Sequence, residues 1–321
     1  MIQNLRQKID DRVRENEILA NHTTFKIGGP AKYFYLAQNS AGLLKAVKAA
    51  EELDLPYIIL GWGSNVLVSD NGFDGLVIKA SSDKFEIRGD QIFAEAGLNF
   101  SRLVGEATKA GLTGLEKFAG IPGTFGGAIR GNAGDFGNSI CGVLYEVETY
   151  KDGEVKKLTQ AGMQCSYRDT ILKHEPGVVL SGVVKLEKDD PSKIQARVME
   201  SINGRRKLPI EPSAGCIFKN VDLAIQEINE ERIIKELDIT LAEWQETTKY
   251  GKLPIGFIID KLSLKEKTIG GAQVSTRHGS FIVNIGDAKA EHVMMLISDV
   301  KMRVRNQLGI QLQEEVQYVG F

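Results

Sequence analysis

The chain is short of cysteine, of net charge and of long apolar runs. Its three cysteines, Cys141, Cys165 and Cys216, are an odd set with no Cys-x-x-Cys spacing. Neither a disulfide framework nor a metal site is therefore expected. Lys and Arg number 40 and Asp and Glu 42, so no net basic field draws the chain to nucleic acid or to a membrane surface. An anionic ligand has to be held by local groups. No apolar stretch approaches the ~20 residues of a membrane span, and the polar segment 1–21 lacks the apolar centre of a secretion signal. The expectation is a cytoplasmic monomer without nucleic-acid or membrane partners. A hydrophobic fraction of 42% over 321 residues leaves ample core for several domains.

Glycine, by contrast, is plentiful and concentrated. The run Gly120-Ile-Pro122-Gly123-Thr124-Phe-Gly126-Gly127-Ala-Ile-Arg-Gly-Asn132-Ala133-Gly134 holds six glycines in fifteen residues. Such a density weakens helix and strand alike and predicts irregular backbone. Without Cβ atoms, successive N–H groups can turn towards a diphosphate. Neither of the two common phosphate signatures is present, so a different diphosphate-binding design is implied.

Periodicity divides the rest into three units. Residues 2–19 read as a short polar helix, followed by the loop Asn21 to Pro30. A helix over 40–53 with Ser40 as N-cap, and short strands at 56–60, 66–68 and 76–78, make a small α/β unit. From Phe85 the pattern becomes antiparallel, with hairpin turns at Gly89-Asp90 and Asp152-Gly153, a helix between Asn99 and Ala110, and a strand over 178–186. Asp189-Asp190-Pro191 marks the next boundary. A helix to about Asn203 follows, and a long apolar stripe from Ala290 to Val304 ends at Gly309 with Asp287 as N-cap. The charged stretch 221–253 reads as a lid or as a solvated excursion, the latter preferred.

Seven segments in register carry a resemblance. They are Thr23-Thr24-Phe25-Lys26-Ile27-Gly28-Gly29, Gly61-Trp62-Gly63-Ser64-Asn65, Gly120 to Gly134, Tyr167-Arg168-Asp169, Pro212 to Asn220, Ile269 to Asn284, and Glu315-Val316. Over Asn21 to Val319 the chain resembles the UDP-N-acetylenolpyruvoylglucosamine reductases, cytoplasmic flavoenzymes of peptidoglycan synthesis and so of cell-wall and cell-division biology. The resemblance implies an α+β fold: a vanillyl-alcohol-oxidase-type FAD-binding domain of two α+β subdomains (1–78 and 79–190) and an α+β substrate-binding domain (191–321). The last strand has the option of returning to the FAD domain. It also implies non-covalent FAD, with NADPH as electron donor and a UDP-sugar enolpyruvyl ether as substrate. A flavin oxidase on the same fold, or a flavin-binding protein without turnover, are the alternatives.

For FAD the resemblance marks Thr24, Ile27, Gly28, Gly61, Gly63, Ser64, Asn65, Gly120, Pro122, Gly123, Thr124, Gly126, Gly127, Asn132, Ala133 and Gly134, and places His278 near the flavin. Gly126 is expected to leave room for N–H approach to the diphosphate. Lys207, Asn220 and Gln273 match positions that contact the UDP-sugar. Three residues are implied to be catalytic. Arg168 suits the substrate carboxylate and its reduced enolate, because a guanidinium stays charged and can bind a carboxylate through two bonds. Glu315 supplies an acid on the final strand, pointing inward if Val316 points outward. Cys216 stands where the family usually has serine as proton donor. A thiol, with an ordinary pKa near ~8.5, is mostly protonated at pH 7 and can make the same transfer. On residue type alone, Cys216 also fits a small buried packing residue.

Overall fold

A computed structural model describes residues 1–135 and 137–321. The chain forms two compact units, each assembled from separated segments. The first comprises Met1–Glu17, Ala31–Trp62 and Phe73–Arg206; the second comprises Ile18–Pro30, Gly63–Gly72 and Lys207–Phe321.

The first unit is built on two larger sheets. In the four-stranded sheet the order is Arg14–Ile18, Pro30–Ala37, Phe73–Ala80, Tyr57–Leu60. Pro30–Ala37 and Tyr57–Leu60 both run parallel to Phe73–Ala80. Helix Ser40–Glu52 covers this sheet with Leu43, Ala46, Val47 and Ala50. Its N-cap is Asn39, whose side chain accepts the Gly42 N–H at 2.8 Å, rather than Ser40. The N-terminal helix stops at Lys8, and residues 14–18 are strand. The 2–19 pattern is thus half helix and half edge strand, with Asp10 gripping Arg12 in the turn between.

The second sheet is five-stranded and antiparallel, ordered Glu154–Thr159, Leu144–Lys151, Val178–Lys185, Gln91–Glu95, Phe85–Arg88. The hairpins at Gly89-Asp90 and Asp152-Gly153 stand where the sequence signals them, because glycine supplies the positive φ that such tight turns need. Helix Phe100–Lys109, capped by Asn99, and helix Pro191–Arg205 help to close its core.

The glycine-rich run is not wholly irregular. Phe125–Gly131 is a helix, N-capped by the Thr124 hydroxyl, which accepts the Gly127 N–H at 3.3 Å. Phe125 and Ile129 are fully buried, so tertiary packing overrides the poor helix propensity of glycine. Gly126 is needed for contact: a Cβ there would sit 2.7 Å from the Ala96 Cβ. The Gly126 N–H donates to the Ala96 carbonyl at 2.8 Å, so this glycine has a packing reason of its own beside the one expected from the diphosphate.

The cysteine reading is also corrected. Cys141 and Cys165 form a disulfide with their Cα atoms 6.5 Å apart. A separation of 24 residues with no spacing motif carried no sign of it; the fold brings the two loops together.

The second unit is built on an antiparallel sheet ordered Ser213–Cys216, Phe281–Asn284, Ala272–Val274, Thr268–Ile269. Helix Ala290–Leu308 lays Val293, Leu296, Ile297, Val300 and Val304 into its core and stops at Gly309 with φ +74°. Its first N–H groups, on Ala290 and Glu291, donate to the carboxylate of Asp70. Asp287 is not the cap, because a residue 220 positions away takes that role. Segment 221–253 is not a solvated excursion. Val221–Asp222 pairs with Lys252–Leu253, and the intervening helices bury Ile233, Leu237 and Trp244 in the same core. The charges of 227–236 obscured that apolar face.

Candidate active site

In the first unit the loop residue Gly61 meets the glycine-rich run. A Cβ on Gly61 would lie 2.6 Å from the Thr124 hydroxyl. Two segments singled out in the sequence, with Gly61 and Thr124 63 positions apart, therefore share one surface. Among the described residues, the adjacent N–H groups of Gly123 and Thr124 find no protein acceptor. Neighbouring donors of this kind, flanked by side-chain-free backbone, fit a phosphate. The run is held at both ends by Arg205, which donates to the carbonyls of Lys117 and Ala119 at 3.0 and 2.7 Å and pairs with Asp135. Nothing in the Arg205-Arg206 doublet marked it beforehand.

Arg168 occupies the second position of the two-residue turn Tyr167-Arg168, with φ +56°. Ser166 and Asp169 close the turn by exchanging both backbone hydrogen bonds, at 3.0 and 3.1 Å. The guanidinium lies against Gly134, where a Cβ would approach Nη1 to 3.1 Å. It also stacks over the Tyr167 ring, 5.4 Å from the centroid. Asn132, left-handed at φ +44° and 5% exposed, commits its side chain to this region. Its amide donates to the Ser166 carbonyl at 2.7 Å, and its oxygen accepts the Cys141 N–H at 3.3 Å.

The second unit gathers the rest. Gly63 has φ +65°, and a Cβ there would press to 2.4 Å of the His22 carbonyl, so only glycine fits. Its carbonyl accepts the Thr24 N–H at 3.1 Å. The Thr24 hydroxyl donates to the Ser213 carbonyl at 2.7 Å, tying the 23–29 loop to the strand that ends at Cys216. That strand is bulged between Ser213 and Cys216, with Gly215 at φ +77°. A bulge re-aims the side chains that follow it. Cys216 pairs with Phe281 and is the one cysteine outside a disulfide.

Glu315 lies beside this strand. Its N–H donates to the Ile217 carbonyl at 2.7 Å, and its own carbonyl accepts the Asn65 amide at 3.2 Å. Val316 is buried, 3% exposed, rather than outward-facing. The neighbouring Glu314 carboxylate is taken by Lys301 at 2.5 Å and by the Tyr318 hydroxyl at 2.6 Å. Glu314 is thereby committed to a structural ion pair with Lys301.

His278 is half-buried, packed on Gly256, and accepts the Ser280 N–H on Nδ1 at 3.2 Å. Burial pushes its pKa below the ordinary imidazole value, with Lys265 adding to the effect, so the neutral ring is favoured. Asn220 caps helix Ile255–Lys261 by accepting the Ile255 N–H at 3.2 Å. Gln273 donates to the Thr268 hydroxyl at 3.0 Å. Lys207 is exposed.

Residues 207–319 match the C-terminal domain of UDP-N-acetylenolpyruvoylglucosamine reductase, and residues 31–158 match an FAD-binding domain. The UDP-N-acetylenolpyruvoylglucosamine reductase of Bacillus velezensis is 36% identical over all of this chain and 98% of its own. The chain belongs to this reductase family. The Bacillus subtilis member is 35% identical, again over the whole chain and 98% of its own length. The crystal structure of the reductase from Thermus caldophilus superposes with a TM-score of 0.75 at 30% identity, covering 96% of this chain and 99% of that one. The fold is accordingly the α+β FAD-binding type of the reductase family, and FAD with NADPH as reductant is the cofactor set of the family. Among the described residues no helix is long and apolar enough to cross a membrane, and no group of His, Cys, Asp and Glu is arranged for a metal.

Proposed function

We propose that the protein reduces UDP-N-acetylglucosamine enolpyruvate to UDP-N-acetylmuramate, with FAD bound non-covalently and NADPH as the electron source. The observation that carries this reading is full-length kinship with reductases of that name. When bound, FAD supplies the hydride transfer from nicotinamide to the enolpyruvyl double bond. The chain's own residues do the rest. Gly61, Gly123 and Thr124 would hold the diphosphate, with Thr24 to Gly28 and Gly63 to Asn65 completing the cofactor's contacts. Lys207, Asn220 and Gln273 would meet the UDP-sugar.

Arg168 holds the substrate carboxylate and, with Glu315, stabilises the enolate that hydride addition creates. Cys216 gives its thiol proton to the carbon α to that carboxylate, completing the lactyl ether. Glu315 is chosen over Glu314 because it stands directly before Val316, as the family pattern has it, while the Glu314 carboxylate serves as the partner of Lys301. A cytoplasmic, monomeric enzyme completes the reading.

The test is NADPH oxidation by the FAD-loaded protein, with and without the enolpyruvyl sugar. Consumption that requires the sugar and yields UDP-N-acetylmuramate is expected. Steady consumption driven by oxygen alone, with no sugar product, would overturn the assignment in favour of an oxidase.

A further inference from the structure

The Arg168 turn is fastened to the core through a covalent bond that the reduction itself does not use. Cys141 is 2% exposed and belongs to the hydrophobic core of the first unit. Cys165 stands directly before Ser166, the first residue of the Arg168 turn, and the disulfide joins the two. Asn132 forms a second link between the same strands of chain, reaching Cys141 through its oxygen and Ser166 through its amide. Thr170, on the far side of the turn, donates its hydroxyl to the Arg130 carbonyl at 2.8 Å. The Lys173 ammonium donates to the Arg168 carbonyl at 2.6 Å. Arg168 itself has a positive φ, a conformation that a non-glycine residue keeps only when its surroundings impose it.

We propose that the Cys141–Cys165 disulfide and Asn132 are one positioning device for Arg168, and that the disulfide makes substrate reduction sensitive to dithiols independently of Cys216. The proposal rests on Arg168 acting on the enolpyruvyl sugar, as above. The chemistry is thiol–disulfide exchange. A dithiol reductant attacks one sulfur, the S–S bond breaks, and the dithiol closes to its cyclic disulfide. Two electrons and two protons end on Cys141 and Cys165 as free thiols. Cys165, partly buried, is the more exposed of the two, since Cys141 is enclosed in the core. Once the bond is open, the entry to the turn is tied to the core by the Asn132 amide on the Ser166 carbonyl and by non-covalent packing of Cys165, without the covalent link. The guanidinium then loses its fixed seat on Gly134. A guanidinium displaced by about 1 Å costs on the order of 10²-fold in a reaction that depends on its geometry. The flavin-reduction step, which involves no substrate carboxylate, does not depend on that seat.

The experiment uses the FAD-loaded full-length protein, untreated or treated with dithiothreitol that is then removed under anaerobic conditions. Thiols are counted by maleimide labelling after denaturation, and the two half-reactions are followed separately by stopped flow. The expected result is one labelled thiol before treatment and three after it. Reduction of the flavin by NADPH should stay within about twofold. Reoxidation by the enolpyruvyl sugar should slow by about 10- to 100-fold, with a raised KM for the sugar. A Cys141→Ala/Cys165→Ala variant should show the slow reoxidation from the start and ignore dithiothreitol. If that variant does not fold, treated native protein with an unchanged melting temperature still decides the matter. Three labelled thiols in untreated protein, or an unchanged sugar half-reaction after reduction, overturns the proposal. If untreated protein fails to turn over the sugar at all, the function proposed above falls, and this inference falls with it.

Discussion

Asn65 and Glu315, 250 positions apart in sequence, are neighbours: the Asn65 amide donates to the Glu315 carbonyl at 3.2 Å. The contact is reinforced one peptide further on, where the Gln317 N–H donates to the Asn65 carbonyl at 3.0 Å. It continues as a parallel pairing of Gln317–Val319 with Val66–Val68. A loop marked for the cofactor and an acid marked for the substrate are thereby parts of one local structure. Any change in one is expected to be felt by the other.

Arg168→Lys is expected to keep fold and flavin while impairing reduction of the enolpyruvyl sugar. Lysine retains the charge but cannot make the two-pronged contact with a carboxylate. Rapid-mixing traces should show normal flavin bleaching by NADPH and slow recovery of colour on adding the sugar. Equal slowing of both steps would contradict a role confined to the substrate.

Cys216→Ala should lower turnover by about 10²–10⁴-fold, the usual worth of a positioned general acid, whereas Cys216→Ser should remain active. NADPH should still reduce the flavin in both. Peroxide should inactivate the native enzyme and spare the Ser variant, because only a thiol oxidises to sulfenic and higher acids. Near-native product formation by the Ala variant would reduce Cys216 to a packing residue.

Gly126→Val tests packing rather than cofactor approach. The added side chain would collide with Ala96 at 2.7 Å, and overpacking of this kind costs about 1–3 kcal/mol. Urea unfolding of the flavin-free protein should therefore show a lowered midpoint. At Gly127, an exposed helical position whose Cβ would meet nothing nearer than 3.4 Å, alanine should hold or slightly raise that midpoint, since it is the better helix former. Equal stability of the Gly126→Val variant and the native protein would return Gly126 to the cofactor.

Acid should weaken the second unit through His278. Its pKa is lowered in the fold, mainly by burial, from the ordinary 6.5. Below that ordinary value the unfolded imidazole takes up a proton that the folded one resists, so stability present at neutral pH is lost as pH falls through this window. Protonation also removes Nδ1 as acceptor for the Ser280 N–H, and the Ser280 carbonyl in turn accepts the Ile217 N–H beside Cys216. His278→Asn, which keeps an acceptor but does not titrate, should flatten the dependence of urea midpoint on pH between 7.5 and 5.5. Parallel curves for the two proteins would remove His278 as the source.

Local pattern was enough for much of the framework. Asn99 and Gly309 mark helix ends, Gly89-Asp90 and Asp152-Gly153 mark hairpins, and the stripe from Ala290 to Val304 marks a buried helix face, because caps, tight turns and amphipathic periods are set within a few residues. The motif segments likewise carry the resemblance to the reductase family within the sequence itself. What the sequence did not determine depends on partners brought from afar. Phe125–Gly131 is a helix because Phe125 and Ile129 reach a core and Gly126 meets Ala96. Helix Ala290–Leu308 is capped by Asp70, the 221–253 stretch is anchored by Ile233 and Trp244, and Cys141 finds Cys165 across a fold that no spacing announces. Propensity acts along the chain, whereas burial, ion pairing and covalent closure act between surfaces that exist only once the chain has folded.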